Sequence, residues 1–382
     1  MDILARNKAD FINSFMELEE EIIDPREDCK LLYPLNEILF LTFAGVLSCA
    51  ETWEYIHDYG IAKIDFLREY FPYTHGIPSK STLCFVLGLI DIAKFEAWFL
   101  KWADNLVDLI PGELINIDGK SLKSSRTKNE KATHILNVFA THRRIILGQR
   151  TVNEKTNEIP ELPKLIDDLN IKGATITIDA LGCQKEVVAK IIEKEANYFI
   201  GLKGNQPLLY DAARYLFVDK ERDASNFDYF SERNHGHGRV EWRKSWVTVI
   251  PDWFKQEYKA WSALHSICLI ESERHFKNGH RSIEQRFYIS NENIKAKTGL
   301  HYSRGHWAIE NSVHYVLDVT FKEDPCRIHD AAENMSVIRK IIFNIINRYK
   351  ADTKIKSSIP AIRKQTGWSN EIAAAVLGYL FK

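Results

Sequence analysis

Long hydrophobic runs are largely missing from this chain. The longest, Ile38 to Ala50 (ILFLTFAGVLSCA), falls short of the roughly 20 apolar residues a bilayer span requires and reads as a buried helix. The opening MDILARNKADFINSFMELEEE lacks a basic start, an apolar core and a small-residue cleavage site, so no secretory signal is visible. The two absences give the expectation of a cytoplasmic protein with no membrane partner. The six cysteines, at 29, 49, 84, 183, 268 and 326, form no CxxC pair. That spacing argues against a disulfide framework or a structural zinc site and for reduced, mostly buried thiols. No repeat or low-complexity segment is present. An excess of charge of one sign is missing too, since the net charge is -1, so no bulk polyanion partner follows from the total.

What is present is an ordinary globular composition over 382 residues, enough for two or three domains. The charge is unevenly spread: residues 1–110 hold 9 Lys and Arg against 19 Asp and Glu, and residues 335–382 hold 9 against 2. An acidic front and a basic end are compatible with nucleic-acid contact through selected surfaces.

Residues 1–110 show helical apolar periodicity interrupted by GIPSKS, with Ser79 or Ser81 as N-cap of the next helix. The two helices around this break admit a helix-turn-helix reading, and hence possible DNA binding, beside plain packing. At Pro111-Gly112 the pattern changes to strand, hairpin, helix, strand, helix, strand, carried by ELINIDGKSL, HILNVFATHRRIILGQRTV, PELPKLIDDL, GATITIDAL, KEVVAKIIEKEA and NYFIGLKGN. That order predicts an α/β domain over 111–350 with a mixed sheet flanked by helices. A β-rich insertion is expected at about 205–290, with strands in HGRVEWRKSWVTVI, SALHSICLIESERHF and HRSIEQRFYISN. A long apolar helix, AENMSVIRKIIFNIINRYK, follows, and 351–382 reads as a basic, peripheral C-terminal tail.

Two strands end in an aspartate: Asp118 in NIDGK and Asp179 in TIDALG. Carboxylates at such positions lie where α/β folds bind ligands, although each also sits near a glycine that a turn would use. Farther on, RGHWAIENSVHYVLD reads as one amphipathic helix with His306, Glu310 and His314 at spacings of four on a single stripe. The stripe admits a metal site, a carboxylate between two histidines, or a solvated edge. Together, Asp118, Asp179 and Glu310 have the chemistry to hold two Mg²⁺ ions, which suit hard carboxylate oxygens and phosphodiester cleavage. A zinc hydrolase using His306, Glu310 and His314 is a further alternative, though the residue order differs from HExxH.

The ordered segments NIDGKSLK, TIDALGCQ, YFIGLKGNQP, HGRVEWR and RGHWAIENSVHYVLDVTFKEDPCRIH resemble the DDE transposases of bacterial insertion sequences, in the ISAs-type branch that includes the H-repeat-associated proteins. LNEILFLTFAGVLSCAETWEYIHDYG resembles the helical domain that accompanies their catalytic module. The resemblance implies a ribonuclease-H-like fold, DNA cleavage at element ends and transfer of the 3′ hydroxyl to target DNA. Further implications are Mg²⁺ as cofactor with Mn²⁺ as substitute, double-stranded DNA as partner, a homodimer on DNA, and a place on the bacterial nucleoid. Asp118, Asp179 and Glu310 become the three carboxylates. Where the wider superfamily often carries Tyr, Arg and a downstream Lys or Arg around the glutamate, this chain has Ser303, His306 and Leu317, with Arg304 and His306 as candidate phosphate contacts. A catalytically inactive, DNA-binding derivative is the alternative from another class.

Lys120 and Lys123, close after Asp118, are candidate phosphate contacts as point charges. Lys203 and Asn205, after the fifth strand, are candidate DNA contacts, and Gln206 shares that position. Arg239, Trp242 and Arg243 combine cations with an aromatic ring, as phosphate contact and base stacking require.

Overall fold

In the computed structural model, which describes residues 2–27, 31–106, 110–126, 131–152, 158–220, 224–236, 239–326 and 328–380, helices come first. They are α1 (Asp2–Ile22), α2 (Leu35–Leu47), α3 (Trp53–Ala62), the single turn α4 (Ile64–Leu67), α5 (Lys80–Leu89) and α6 (Ile92–Leu106). Every residue of α2 from Ile38 to Leu47 is buried, as expected of a helix that is apolar all round. Ser79 caps α5, accepting a hydrogen bond from the Thr82 amide at 3.2 Å. The helices that flank the GIPSKS break are α4 and α5, and α6 follows them. Its aromatic face, Phe95, Trp98, Phe99 and Trp102, is buried against the sheet and the long C-terminal helix, so α6 is a packing element.

Strand follows at β1 (Leu114–Leu122), β2 (Thr133–Ala140) and β3 (Ile145–Val152), then α7 (Glu161–Asp168), β4 (Thr175–Ile178), α8 (Lys185–Glu193) and β5 (Asn197–Leu202). After α9 (Pro207–Leu216) come β6 (Asp228–Gly236), β7 (Arg239–Val249), α10 (Asp252–Glu257), β8 (Ser266–Phe276) and β9 (Arg281–Ser290). All nine strands form one sheet in the order β3-β2-β1-β4-β5-β9-β8-β7-β6. β1, β4 and β5 are parallel and β1, β2 and β3 antiparallel, which is the ribonuclease-H-like arrangement. The insertion does not stand apart: β9 pairs with β5 through Phe199–Leu202, so its strands extend the central sheet. One of them, β6, is absent from the expected set; its residues DYFSERNHG are mostly exposed and carry no apolar alternation.

The chain closes with α11 (Ala296–Ile309), a π turn (Glu310–His314), α12 (Tyr315–Val319), α13 (Ala332–Thr353), α14 (Ile359–Trp368) and α15 (Asn370–Leu377). The helix expected over 304–318 is therefore interrupted by a wider turn at its centre. α13 runs through the core, with Val337, Ile338, Ile341, Ile342, Ile345 and Ile346 all fully buried. One hydrophobic cluster takes in α1, α2, α6, the sheet and α13. No helix among the described residues is long and apolar enough to cross a membrane.

The expectation of a peripheral tail is corrected. Ser358 caps α14, and Arg363, within that stretch, is fully buried. Its guanidinium donates to the carbonyls of Val46 and Thr320 at 2.5 Å and to Glu51 at 2.6 Å, and its plane lies 4.1 Å from the centre of the Phe321 ring. Five donors in a fixed fork suit such a site. Truncating one member of a buried pair strands the other, so Arg363→Ala is expected to lower stability by about 3–5 kcal/mol, measured by urea unfolding. A change near zero would show that these contacts do not hold α14 in place.

Candidate active site

Side chains alternate across a strand, and on β1 the alternation separates two chemistries. Ile115 and Ile117 enter the hydrophobic core, while Asn116, Asp118 and Lys120 make their contacts with the segment of α11, the π turn and α12. Asn116 donates to the Gly305 carbonyl at 2.9 Å. A Cβ at Gly305 would collide with the Leu114 side chain, so glycine is what allows the helix this close to the strand.

The register of β1 on β4 pairs Ile117 with Ile178, so the next residues along the two strands are Asp118 and Asp179. Asp179 ends its strand by capping the short helical turn Ala180–Gly182, accepting from the Leu181 amide at 3.0 Å. Glu310 is the first residue of the π turn. A π turn holds an extra residue and recurs at functional sites; here Asn311 donates to the Trp307 carbonyl at 2.9 Å beside it.

Burial, and then the negative charges of Glu310 and Asp179, push the Asp118 carboxyl up to about 7. The nearby His314 does not offset that repulsion. Burial, with Lys120 and Lys340 close by, takes its imidazole down to about 3, which leaves it neutral. Asn137, paired with Asp118 across β2, lies with its amide nitrogen 3.2 Å from His314 Nε2. With that amide donating, the ring proton sits on Nδ1, 3.6 Å from Asp118. A fourth carboxylate, Glu158, adds to the repulsion on Asp118 and pairs with His134. Both would be struck by a Cβ at Gly119.

The stripe of three polar residues is thus resolved into separate partners. His306 Nδ1 lies 3.0 Å from Thr177 Oγ1, and burial, with Arg286 nearby, takes the ring down to about 4. The candidate phosphate contact His306 thus has one ring nitrogen facing Thr177 on β4. With His306 turned to Thr177 and His314 to Asp118, the zinc reading loses its ligand set. Among the described residues, no group of three or more His, Cys, Asp or Glu side chains is placed to hold a metal ion by itself. A Mg²⁺ ion, which keeps waters and takes substrate phosphate, needs only one or two carboxylates.

The remaining candidates are dispersed. Lys120 is ion-paired with Asp318, and with Glu323 at 2.6 Å. Lys123 is exposed and pairs with Asp324 at 2.8 Å, and Lys203 is exposed beyond β5. Asn205 donates to the Ala180 carbonyl at 2.7 Å and Gln206 to that of Cys183 at 2.9 Å, so both tie the loop after β5 to the turn behind Asp179. The Arg239 side chain lies outside the described residues. Trp242 is partly exposed, with Arg233 5.4 Å from its ring centre. Arg243 pairs with Glu241 at 2.7 Å, and Arg304 with Glu232 at 2.8 Å. Arg243 and Arg304 meet Arg274, Arg286, Trp307 and Asn311 around a cleft of about 310 Å³, where Arg286 lies 4.8 Å from the Trp307 ring centre. Asn137, Glu158, Arg274, Arg286 and Trp307 escaped the sequence reading.

The family model described as "Transposase DDE domain" matches residues 110–345, and that of the DDE_Tnp_1-associated domain matches 16–103. YncI of Escherichia coli O157:H7, which goes under the name of a transposase, is 35% identical over 361 residues, covering 93% of this chain and 92% of its own length. The H repeat-associated YhhI of Escherichia coli K12, under the same kind of name, is 34% identical over 373 residues, covering 96% and 98%. A solved piggyBac transposase synaptic complex with hairpin DNA covers 97% of this chain and 78% of its own at 11% identity, with a TM-score of 0.44, too low to carry an inference.

A raised carboxyl gives a pH signature of known sign. The folded chain holds the Asp118 proton up to about 7, whereas an unfolded aspartate releases it near 3.9. Folding is therefore penalised increasingly as pH rises through that window. In divalent-free buffer, Asp118→Asn should melt above wild type by a margin that widens between about pH 4 and pH 7 and narrows on adding Mg²⁺. A margin independent of pH would contradict the crowding of acids on Asp118.

Proposed function

The chain belongs to the DDE transposase family, and on that basis we propose that it is an insertion-sequence enzyme that cuts DNA at the ends of its element and joins the freed 3′ hydroxyl to target DNA. The observation that supports this reading is the placement of Asp118 among acids, pushed up to about 7 by burial and by Glu310 and Asp179. Its histidine neighbour is neutral and its nearest lysine is engaged elsewhere. Carboxylates crowded in this way call for an external cation.

Divalent magnesium, with manganese as a substitute, would be held by Asp118, Asp179 and Glu310, and would activate the attacking oxygen and stabilise the leaving one. The protein's own contribution is position. His314 and Asn137 orient the Asp118 carboxylate, the Leu181 amide fixes that of Asp179, and the π turn presents Glu310. In the first step a water oxygen bonds to phosphorus and the 3′ oxygen leaves as a hydroxyl; in the second that 3′ oxygen, losing its proton, bonds to a target phosphorus and the target strand's own 3′ oxygen leaves as a hydroxyl.

Double-stranded DNA is the partner in this reading, and the arginine-lined cleft beside the Glu310 helix is where its backbone passes. Arg243, Arg274, Arg286 and Arg304 meet phosphates, and Trp307 with Trp242 offers apolar contact. Lys123 and Lys203 remain exposed for phosphate, and Arg239 stays a candidate. Two ends have to be held together for transfer, so the working unit is a homodimer on DNA, on the bacterial nucleoid.

Incubated with duplexes carrying the element's ends and Mg²⁺, the protein should nick and join them. Asp118→Asn, Asp179→Asn and Glu310→Gln should each lower the rate by more than about a hundredfold, exceeding the loss typical of outer-shell partners, while end affinity is kept. Equal product from wild type and Asp118→Asn would overturn the mechanism, and end binding without any cleavage would leave the DNA-binding derivative. Arg286→Gln should weaken binding to all sequences alike and reduce the salt slope of log affinity by about 1. An unchanged slope would remove the cleft from the DNA path.

A further inference from the structure

On the polar face of β1, Lys120 follows Asp118 by one alternation, and its ammonium is the hub of a cluster that is buried at Glu323 and partly exposed at Asp318. It donates to Asp318 on α12 and, at 2.6 Å, to Glu323 just beyond that helix. Asp324 lies 3.8 Å away. The Lys120 side chain is 11% exposed and that of Glu323 1%. Glu323 accepts a hydrogen bond from Ser336 at 2.8 Å, and Lys340 donates to the same Ser336 hydroxyl at 2.8 Å. Lys340 also donates to Gln149 on β3, which in turn donates to Glu96 on α6 at 2.9 Å. An unbroken chain of polar contacts therefore runs from the strand of Asp118 into α13 and the N-terminal helices.

Stability does not explain such a cluster, because the cost of desolvating buried ions offsets most of their attraction, and apolar residues of similar volume serve as well or better. What buried ions do supply is fixed geometry. The segment from Gly305 to Asp318 meets β1 at three places: Asn116 with Gly305, Asp118 with His314, and Lys120 with Asp318. Glu310 lies between the first and the last. The helix is widened into the π turn there, so its own backbone ladder constrains Glu310 least where position matters most. The Asn116 contact pins the segment before the turn, and Lys120 pins it after.

We propose that Lys120 is a positioning residue, whose clamp on Asp318 and Glu323 sets the separation between the strand bearing Asp118 and the helix bearing Glu310. The inference rests on reading those two acids as one site. On this proposal Lys120 acts through Asp318 and Glu323 and not through a phosphate.

The test compares Lys120→Met, Lys120→Arg and the milder Asp318→Asn, each as the full chain. Hydrogen exchange reads the clamp without any activity: Lys120→Met should speed exchange over 310–320 and leave β4 and β5 unchanged, while Lys120→Arg retains most of the protection. Mn²⁺ binding to the complex with end DNA, followed by the electron paramagnetic resonance of free Mn²⁺, should weaken about tenfold or more in Lys120→Met, as for outer-shell partners of metal sites. Cleavage should need correspondingly more Mg²⁺, and end affinity should stay within about twofold. Should Lys120→Met fail to fold, Asp318→Asn must give the same changes in smaller measure. Unchanged exchange over 310–320 in a folded variant overturns the proposal, as does a loss of end affinity with Mn²⁺ binding intact, the mark of a phosphate contact. If wild type and Asp118→Asn bind Mn²⁺ alike, the catalytic reading has failed, and the exchange arm still decides whether the clamp exists.

Discussion

The two-residue period of β1 is the constraint on which the rest of the structure depends. It sends Ile115 and Ile117 into the core and lines up Asn116, Asp118 and Lys120 under the long helical segment. A slip of one residue would exchange the two rows, burying two charges among aliphatic side chains and leaving isoleucine under the helix. Because β4 is parallel to β1 and in register through Ile117 and Ile178, the same period delivers Asp179 to the neighbouring strand end. Two distant segments of sequence are thereby brought together by backbone hydrogen bonding alone.

The polar row is covered, so every group in it has to be matched. Most are matched locally. Asn116 bonds to Gly305 and Thr177, Thr177 to His306, and Lys120 to acids beyond the π turn. Glu323 illustrates the result: although burial alone would raise it, Lys120, Lys340 and Arg339 hold it down at about 2. Asp118 is the contrast within the same face. Its neighbours are other acids and a neutral histidine, so it carries the unmet demand for positive charge in a region otherwise balanced from within.

How far the sequence reveals this differs from element to element, for physical reasons. The five strands β1 to β5 and their helices were legible because apolar periodicity in GATITIDAL and NYFIGLKGN reports burial directly. Asp179 was legible as the residue that ends an apolar strand, whereas the strand expected to end at Asp118 continues to Leu122, because the polar residues after Asp118 keep their backbone pairing with β2. Glu310 was not assignable from local pattern, since a spacing of four describes an α-helix and says nothing of a π turn; the family resemblance singled it out. β6 escaped because its side chains are mostly exposed and only its backbone is paired. The burial of Lys120 and Arg363 was not legible, because charge in a sequence suggests solvent, and both cations are covered by partners 198 or more residues away along the chain or, for Arg363, 43 to 317 away.

Arg363 carries a consequence for the order in which the protein can be assembled. Its bonds to Val46 and Glu51 join α14 to α2 and the loop after it, across nearly the whole length of the chain. On a ribosome, α2 emerges long before α14, and the surface that α14 covers stays open while some three hundred further residues are made. The helical region and the sheet can gather around α13 beforehand, but closure over α2 awaits the synthesis of α14. A nascent chain stalled before Ser358 would present that uncovered α2 surface to whatever chaperone or protease stands nearest.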